Sequence, residues 1–315
     1  MEISIFLTAL LLSSLLHFGI QKIFIRYKKF DDSNHRSSHK TLATRTGGIG
    51  VFTTLLLITL FYYSQGVRLF DYSLFIPLGI MFIVGVYDDF YNADFKLKFF
   101  LQIIVAKILI DQGYVISNYH GLFGLYEVPW LAAQMTTVFV FLVVINAINF
   151  IDGIDGLAIT EVAKTIILIE FFSGSQATSL FPLGALVMTS LLPLYYFNFK
   201  KKRKVFLGDG GSLLLGTLVM VYLLYVLGID YRLSTDYQVN KVLFAVLASL
   251  YPLVDLLRVF ILRIKNGQSP FVADQKHLHH ILLKKIKKQP LTTLFILLIE
   301  LIVCSSIIFL FAKLS

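Results

Sequence analysis

The feature that most constrains this chain is its set of long apolar runs. Segments near 3–25, 47–65, 71–87, 97–112, 130–149, 157–173, 177–198, 212–229, 241–263 and 291–312 are built mainly from aliphatic and aromatic residues. A helix needs roughly 20 such residues to cross bilayer hydrocarbon. Inside lipid only helices and closed barrels satisfy every backbone N–H and C=O, and runs this continuous specify helices. The reading is an all-α polytopic membrane protein of about ten transmembrane helices, forming one membrane-embedded domain over residues 1–315. The fourth segment is the least apolar, because Lys96, Lys98, Lys107 and Asp111 interrupt it. The first lacks a basic leader and a small-residue cleavage site, so it reads as a membrane helix and not as a removable signal. Cys304 is the lone cysteine, which excludes a disulfide framework or a cysteine metal site within one chain.

Charge then gives the topology. With these spans, most of the 28 Lys and Arg fall in the odd-numbered connections. Arg68, Arg232, Lys241 and Lys313 fall on the opposite face, and Lys107 and Lys164 lie within spans. The positive-inside rule makes the odd connections cytoplasmic and puts the N-terminus outside. The net charge of +9 therefore reports topology and gives no reason to expect nucleic acid. The rule does not ask for carboxylates, yet acidic and histidine residues gather on the same face.

Five polar segments carry them. The first is Ser38-His39 with Arg45-Thr46-Gly47-Gly48; the second is Asp88-Asp89, followed by Lys96 and Lys98. Two adjacent carboxylates closing an apolar helix repel each other and are partly desolvated, penalties that a divalent cation or a cationic group relieves. The third is Asn146, Asn149, Asp152 and Asp155, three residues apart in turn, with Gly153 and Gly156 between and after the acids. That spacing puts Asn146, Asn149 and Asp152 on one helical stripe. The glycines let the backbone leave the helix and approach a ligand. Polar glue between helices is the blander reading, but it needs fewer charges and no double glycine. The fourth, Gly208-Asp209-Gly210-Gly211-Ser212, reads as a glycine loop entering a helix. Its amides suit a phosphate and Asp209 suits a metal. The fifth holds Arg263, Gly267, Ser269-Pro270-Phe271, Asp274, His277, His279 and His280. Three imidazoles could ligate zinc, but Arg263, Lys265 and Lys276 around them favour a diphosphate. The pairs Lys107/Asp111, Glu161/Lys164 and Asp255/Arg258 read as local ion pairs, although Asp255 follows Pro252 and points toward the active face.

Taken in order, these segments resemble the polyprenyl-phosphate N-acetylhexosamine-1-phosphate transferase family (glycosyltransferase family 4). The resemblance runs from about Ser38 to His280. Its most specific parts are Asp88-Asp89, the Asn146-to-Ala158 stretch and Arg263 through His280. The Arg-x-x-x-Gly and His-x-His-His ending is similar to the bacterial branch that uses UDP-GlcNAc and undecaprenyl phosphate. The family commonly has a proline between the first-loop histidine and Arg-x-Gly-Gly, and residues 39–45 have none. That departure puts the loop's shape in question.

The resemblance implies attack of undecaprenyl phosphate on the β-phosphorus of a UDP-N-acetylhexosamine, releasing UMP, with Mg²⁺ or Mn²⁺. It implies Asp88, Asp89, Asp152 and Asp155 as catalytic acids, Asp209 and Asn149 as metal ligands, and Lys98, Asn146, Arg263, His277, His279 and His280 as substrate-binding groups. Direct attack and a covalent aspartyl intermediate are both open. The place implied is the inner membrane with a cytoplasmic active site; the oligomeric state is open, a homodimer included. Two other classes fit the sequence less well. An ion-coupled transporter should carry its acids near the bilayer midplane on broken, repeated helices, and here they sit at helix ends. A CDP-alcohol phosphotransferase needs an Asp-Gly-x-x-Ala-Arg pattern that the segment from Asp152 lacks.

Overall fold

The computed structural model describes residues 3–29, 43–174, 177–228, 231–234, 239–269 and 276–313. Ser38, His39, Pro270, Phe271 and Asp274 lie outside the described residues. The structure is nearly all helix: α1 Ile3–Arg26, α2 Gly47–Ser64, α3 Phe75–Tyr91, α4 Phe95–Asp111, α5 Trp130–Ile151 and α6 Leu157–Phe171. There follow α7 Phe181–Asn198, α8 Gly208–Leu227, α9 Lys241–Ala248, α10 Leu250–Lys265, α11 Leu278–Ile286 and α12 Gln289–Lys313. Each of the ten expected segments is helical. Among the described residues, six helices are long and apolar enough to cross a membrane, and α9 with α10 makes a seventh if the pair is one bent span. The helices α4, α6 and α7 do not reach that measure.

The chain divides into two compact units, Met1–Val105 with Ala177–Leu218, and Ala106–Gln176 with Val219–Ser315. In the first unit α1 packs on α7 and α2. The helix α1 reverses the soluble pattern. It buries Ala9, Ser13, His17 and Gln21 and exposes Leu7, Leu11, Leu15 and Phe18. Lipid is as apolar as leucine, so membrane helices pack through small and polar residues. Accordingly Ser13 Oγ donates to Ser190 O at 2.8 Å and Gln21 Nε2 to Arg203 O at 2.6 Å. Two short strands, β1 Ala43–Thr44 and β4 Lys204–Val205, pair in parallel. The pairing continues through Phe206 N to Thr44 O, 2.8 Å, and through Gly47 N and Gly48 N to Phe206 O and Leu207 O, both 2.9 Å. The helix α2 thus starts against the strand that leads into α8.

In the second unit α5 packs on α10, and α6 touches α5, α9 and α12. The strands β2 Asn118–Leu122 and β3 Leu125–Glu127 form an antiparallel hairpin that lies on α9. Asn240 joins the two: its Oδ1 accepts from Val242 N at 2.8 Å to cap α9, and its Nδ2 donates to His120 O at 2.7 Å. By hydropathy alone this hairpin falls in the connection between the fourth and fifth apolar segments.

The expected span 241–263 is not one straight helix. It breaks at Ser249 into α9 and α10, bent by 79°. Pro252 has no N–H to return to Ala248 O, and that carbonyl accepts from Thr165 Oγ1 at 2.7 Å. Tyr251 N donates to Glu300 Oε1 at 2.9 Å, while Leu247 O accepts from Cys304 Sγ at 3.3 Å. Side chains of α6 and α12 satisfy the backbone groups that the break frees, as broken membrane helices require.

Candidate active site

The five polar segments sort into the two units. The first unit gathers Arg45, Asp88, Asp89, Lys98 and Asp209. At the end of α3 the two adjacent acids part. Asp88 Oδ1 accepts from Ala93 N at 2.7 Å, and its Oδ2 takes Lys98 Nζ at 2.5 Å. Asp209 lies within hydrogen-bonding reach of Asp88, and its Oδ2 is 3.8 Å from the same Lys98. Asp89 turns the other way: its Oδ2 accepts from Gly210 N at 3.0 Å, and its Oδ1 lies 3.7 Å from Arg45. Asp89 is 4% exposed and Asp209 34%. Asp89 therefore braces the start of α8, a favourable place for a carboxylate at a helix N-terminus. This changes the sequence reading of the glycine loop, because the Gly210 amide is occupied by Asp89 and does not await a phosphate.

Glycines permit that closeness. A Cβ on Gly48 would fall onto the backbone of Gly211, and one on Gly85 onto the carbonyl of Asp209. Gly208 has φ +74°, and a Cβ there would sit 2.7 Å from Asp89 Oδ2. The chain crossings that bring Arg45 and Asp88 to Asp209 therefore need backbone-to-backbone contact.

The second unit gathers the third and fifth segments. The helix α5 ends at Ile151, so Asn146 and Asn149 stand in its last turns, Asp152 caps it, and Asp155 lies beyond, in the turn that Gly156 closes with φ +75°. Asn146 Nδ2 donates to Leu142 O at 2.7 Å within the helix. The turn is held from α12: Asp155 N donates to Gln289 Oε1 at 2.8 Å, and Thr293 Oγ1 donates to Asp155 O at 3.0 Å. Gly153 faces the histidines. A Cβ there would lie 2.7 Å from His279 Nε2 and 3.1 Å from the His280 ring. The Phe150 and His277 rings are 5.9 Å apart, and Arg263 is buried near the end of α10.

Asp255 does more than pair locally with Arg258. It lies 4.0 Å from Arg258 but bonds His277 Nδ1 at 2.8 Å and accepts from Leu278 N at 2.8 Å. It organises the histidine segment, and its position one turn after Pro252 on an apolar helix was the signal. Asp255, His277 and His279 could geometrically hold a metal. The direct Asp255–His277 bond describes an acid–imidazole pair instead. Burial and the neighbouring His279 and His277 push His280 down to about 4, and burial lowers His279 against the pull of Asp255. Both rings are neutral near pH 7, so each presents one N–H donor.

An acid pair answered by one lysine, a carboxylate-braced glycine loop and a histidine cluster over a glycine turn are parts suited to phosphate chemistry. The glycosyl transferase family 4 model matches residues 72–227. A probable undecaprenyl-phosphate N-acetylglucosaminyl 1-phosphate transferase of Bacillus subtilis is 28% identical, over 84% of this chain and 72% of that protein. The undecaprenyl-phosphate alpha-N-acetylglucosaminyl 1-phosphate transferases of Yersinia pestis and Escherichia coli K12 are 28% and 27% identical. Those alignments cover 85% and 90% of this chain and 73% and 75% of the respective relatives. By motif order, by the residues that the structure assembles and by this similarity, the chain belongs to glycosyl transferase family 4, among its polyprenyl-phosphate N-acetylhexosamine-1-phosphate transferases.

Proposed function

We propose that the protein transfers N-acetylhexosamine-1-phosphate from a UDP-sugar, with UDP-GlcNAc the first choice, to undecaprenyl phosphate, releasing UMP. The lipid-linked diphospho-sugar would begin a cell-envelope polysaccharide such as O-antigen or teichoic acid. The observation that carries this reading is the Asp88–Lys98–Asp209 cluster. Two carboxylates face each other with one ammonium between their charges. Such a pair holds either a proton or a further cation.

The donors are oxygens, as Mg²⁺ and Mn²⁺ require, so the residues fit the metal that the family implies. In the first unit Asp209, with Asp88 against it, is the proposed ligand; in the second unit Asn149 keeps the ligand role that the family resemblance implies. A bound Mg²⁺ would neutralise charge on the transferring phosphoryl group. Lys98 would orient the lipid phosphate that Asp88 positions, since a phosphate monoester is already largely ionised near neutral pH. Direct attack is preferred over an aspartyl intermediate, because Asp88 is engaged by Ala93 N and Lys98. In the second unit Asp152 and Asp155 are the further proposed acids. Arg263, His277, His279, His280 and Asn146 would bind diphosphate oxygens and the departing UMP.

In the second unit a cavity of about 430 Å³ is lined by Phe139, Val143, Leu223, Val246 and Leu253. Its walls are apolar, and it is proposed as a seat for part of the polyprenyl chain. The full placement is an inner-membrane protein of about ten spans, N-terminus outside and active site cytoplasmic. The test is UMP release by purified protein with undecaprenyl phosphate, Mg²⁺ and a panel of UDP-sugars. The expected result is release with a UDP-HexNAc, abolished in Asp209→Ala. No release with any donor, or full turnover by Asp209→Ala, overturns the reading.

A further inference from the structure

Tyr251 joins a buried ion cluster to a histidine of the site. At the break between α9 and α10 its amide donates to Glu300 Oε1, 2.9 Å. Glu300 is in turn bonded by Lys164 Nζ, which also bonds Glu161 Oε2 at 2.7 Å. All three charged side chains are buried, at 0–5% exposure. Charges inside membrane helices are costly and seldom lack a task. None of these three is assigned to the reacting groups. Of the three, Glu300 reaches out of the cluster to hold one backbone position, that of Tyr251.

From this anchored backbone the phenol reaches His279 Nδ1 at 3.2 Å. Asp255 Oδ2 is the other group nearby, but it is 3.6 Å from His279 Nδ1 and already bonds His277. The Tyr251 phenol is therefore the nearer of the two groups at His279 Nδ1. A buried hydroxyl that meets an unprotonated ring nitrogen donates to it. An imidazole that accepts at Nδ1 carries its proton on Nε2. The Nε2 of His279 is buried, has no hydrogen-bond partner among the described residues, and lies where a Cβ on Gly153 would crowd it.

We infer that Tyr251 is a positioning residue for the transfer. Its hydroxyl sets the His279 tautomer whose Nε2–H faces the Asp152–Gly153 turn, and the Glu161–Lys164–Glu300 cluster holds Tyr251 in place. This rests on the proposed reading that His279 binds a phosphate oxygen of the nucleotide sugar. The sugar diphosphate then meets a preset donor, not one that must change its proton on binding.

The test is a double-mutant cycle on the full chain, reading UMP release at saturating undecaprenyl phosphate while the UDP-sugar is varied. Tyr251→Phe keeps the amide and removes only the hydroxyl. It is expected to lower kcat/KM for the UDP-sugar by about 5- to 30-fold, in line with one hydrogen bond to a binding group. On a His279→Ala background the same change is expected to have less than about 2-fold effect. Glu300→Gln, which keeps an acceptor for the Tyr251 amide, is expected to retain more activity than Glu300→Ala. If the Glu300 variants fail to fold, the Tyr251/His279 cycle still decides. Additive effects of Tyr251→Phe and His279→Ala, or wild-type activity in Tyr251→Phe, overturn this inference and leave the function reading standing. Full activity in His279→Ala overturns both this inference and the role given to that histidine.

Discussion

Two glycines of α3 separate close approach from mere helix composition. At Gly85 an added Cβ would collide with the carbonyl of Asp209, which is backbone and cannot rotate away. At Gly79, two turns earlier, the nearest neighbour of such a Cβ is the Phe52 ring, at an ordinary 3.6 Å. Gly79→Ala is therefore expected to leave stability unchanged or raise it by about 0.5–1 kcal/mol, the helix preference of alanine over glycine. Gly85→Ala forces α3 and α8 apart, at about 1–3 kcal/mol or more by overpacking, and displaces Asp209 from Asp88. Thermal unfolding and UMP release of the two variants check this together. A Gly85→Ala protein that melts and turns over like wild type would mean that α3 and α8 do not meet as described.

At the level of elements, α11 depends on two histidines kept neutral. Burial and the adjacent imidazoles hold His280 near 4, below its ordinary 6.5, and burial lowers His279 in the same direction. As pH falls from about 6.5, the unfolded chain takes up protons at these rings that the folded chain refuses. Their contribution to stability is thus complete above about 6.5 and is lost progressively down to about 4. The melting temperature is expected to fall over that window, and His280→Asn to flatten part of the slope; an unchanged slope would mean that His280 is not buried as a neutral ring. How much of these elements the sequence discloses depends on the range of the interaction that makes them. Hydropathy located each apolar helix, since length and lack of charge are local properties. The motifs around Asp88, Asp152 and His277 were legible for the same reason. The break at Ser249 was not. Pro252 was visible, but the groups that satisfy the freed backbone, Thr165 and Glu300, are 83 and 49 residues from their partners. The role of Asp89 was hidden likewise, because its partner amide is 121 residues away. The hairpin at Asn118–Glu127 did carry a local signal, Gly121 and Gly124 at φ +84° and +76°, within a stretch read only for charge.

For the molecule as a whole, the sidedness of the membrane helices decides where the chemistry happens, and the first unit gives the means to test it. Pairing of β1 with β4 puts residues 204–205 beside residues 43–44, at the start of α2. The helix α2 then runs 18 residues, about 27 Å at about 1.5 Å per residue, close to the hydrocarbon thickness. Gln65 caps its far end and is exposed, whereas Lys201 is exposed just before β4. The two positions therefore belong to opposite ends of one helix that is long and apolar enough to span, whatever the total number of spans. On the proposed orientation, the basic residues 200–204 put the Lys201 end in the cytoplasm. The one native thiol, Cys304, is buried and donates to Leu247 O, so it contributes little background labelling. With a membrane-impermeant maleimide on intact spheroplasts, Gln65→Cys is expected to label and Lys201→Cys to label only after permeabilisation. The reverse pattern would invert the orientation and take Asp88 and Asp209 away from the face where UDP-sugars are made. Labelling of both from one side would mean that α2 does not cross the bilayer.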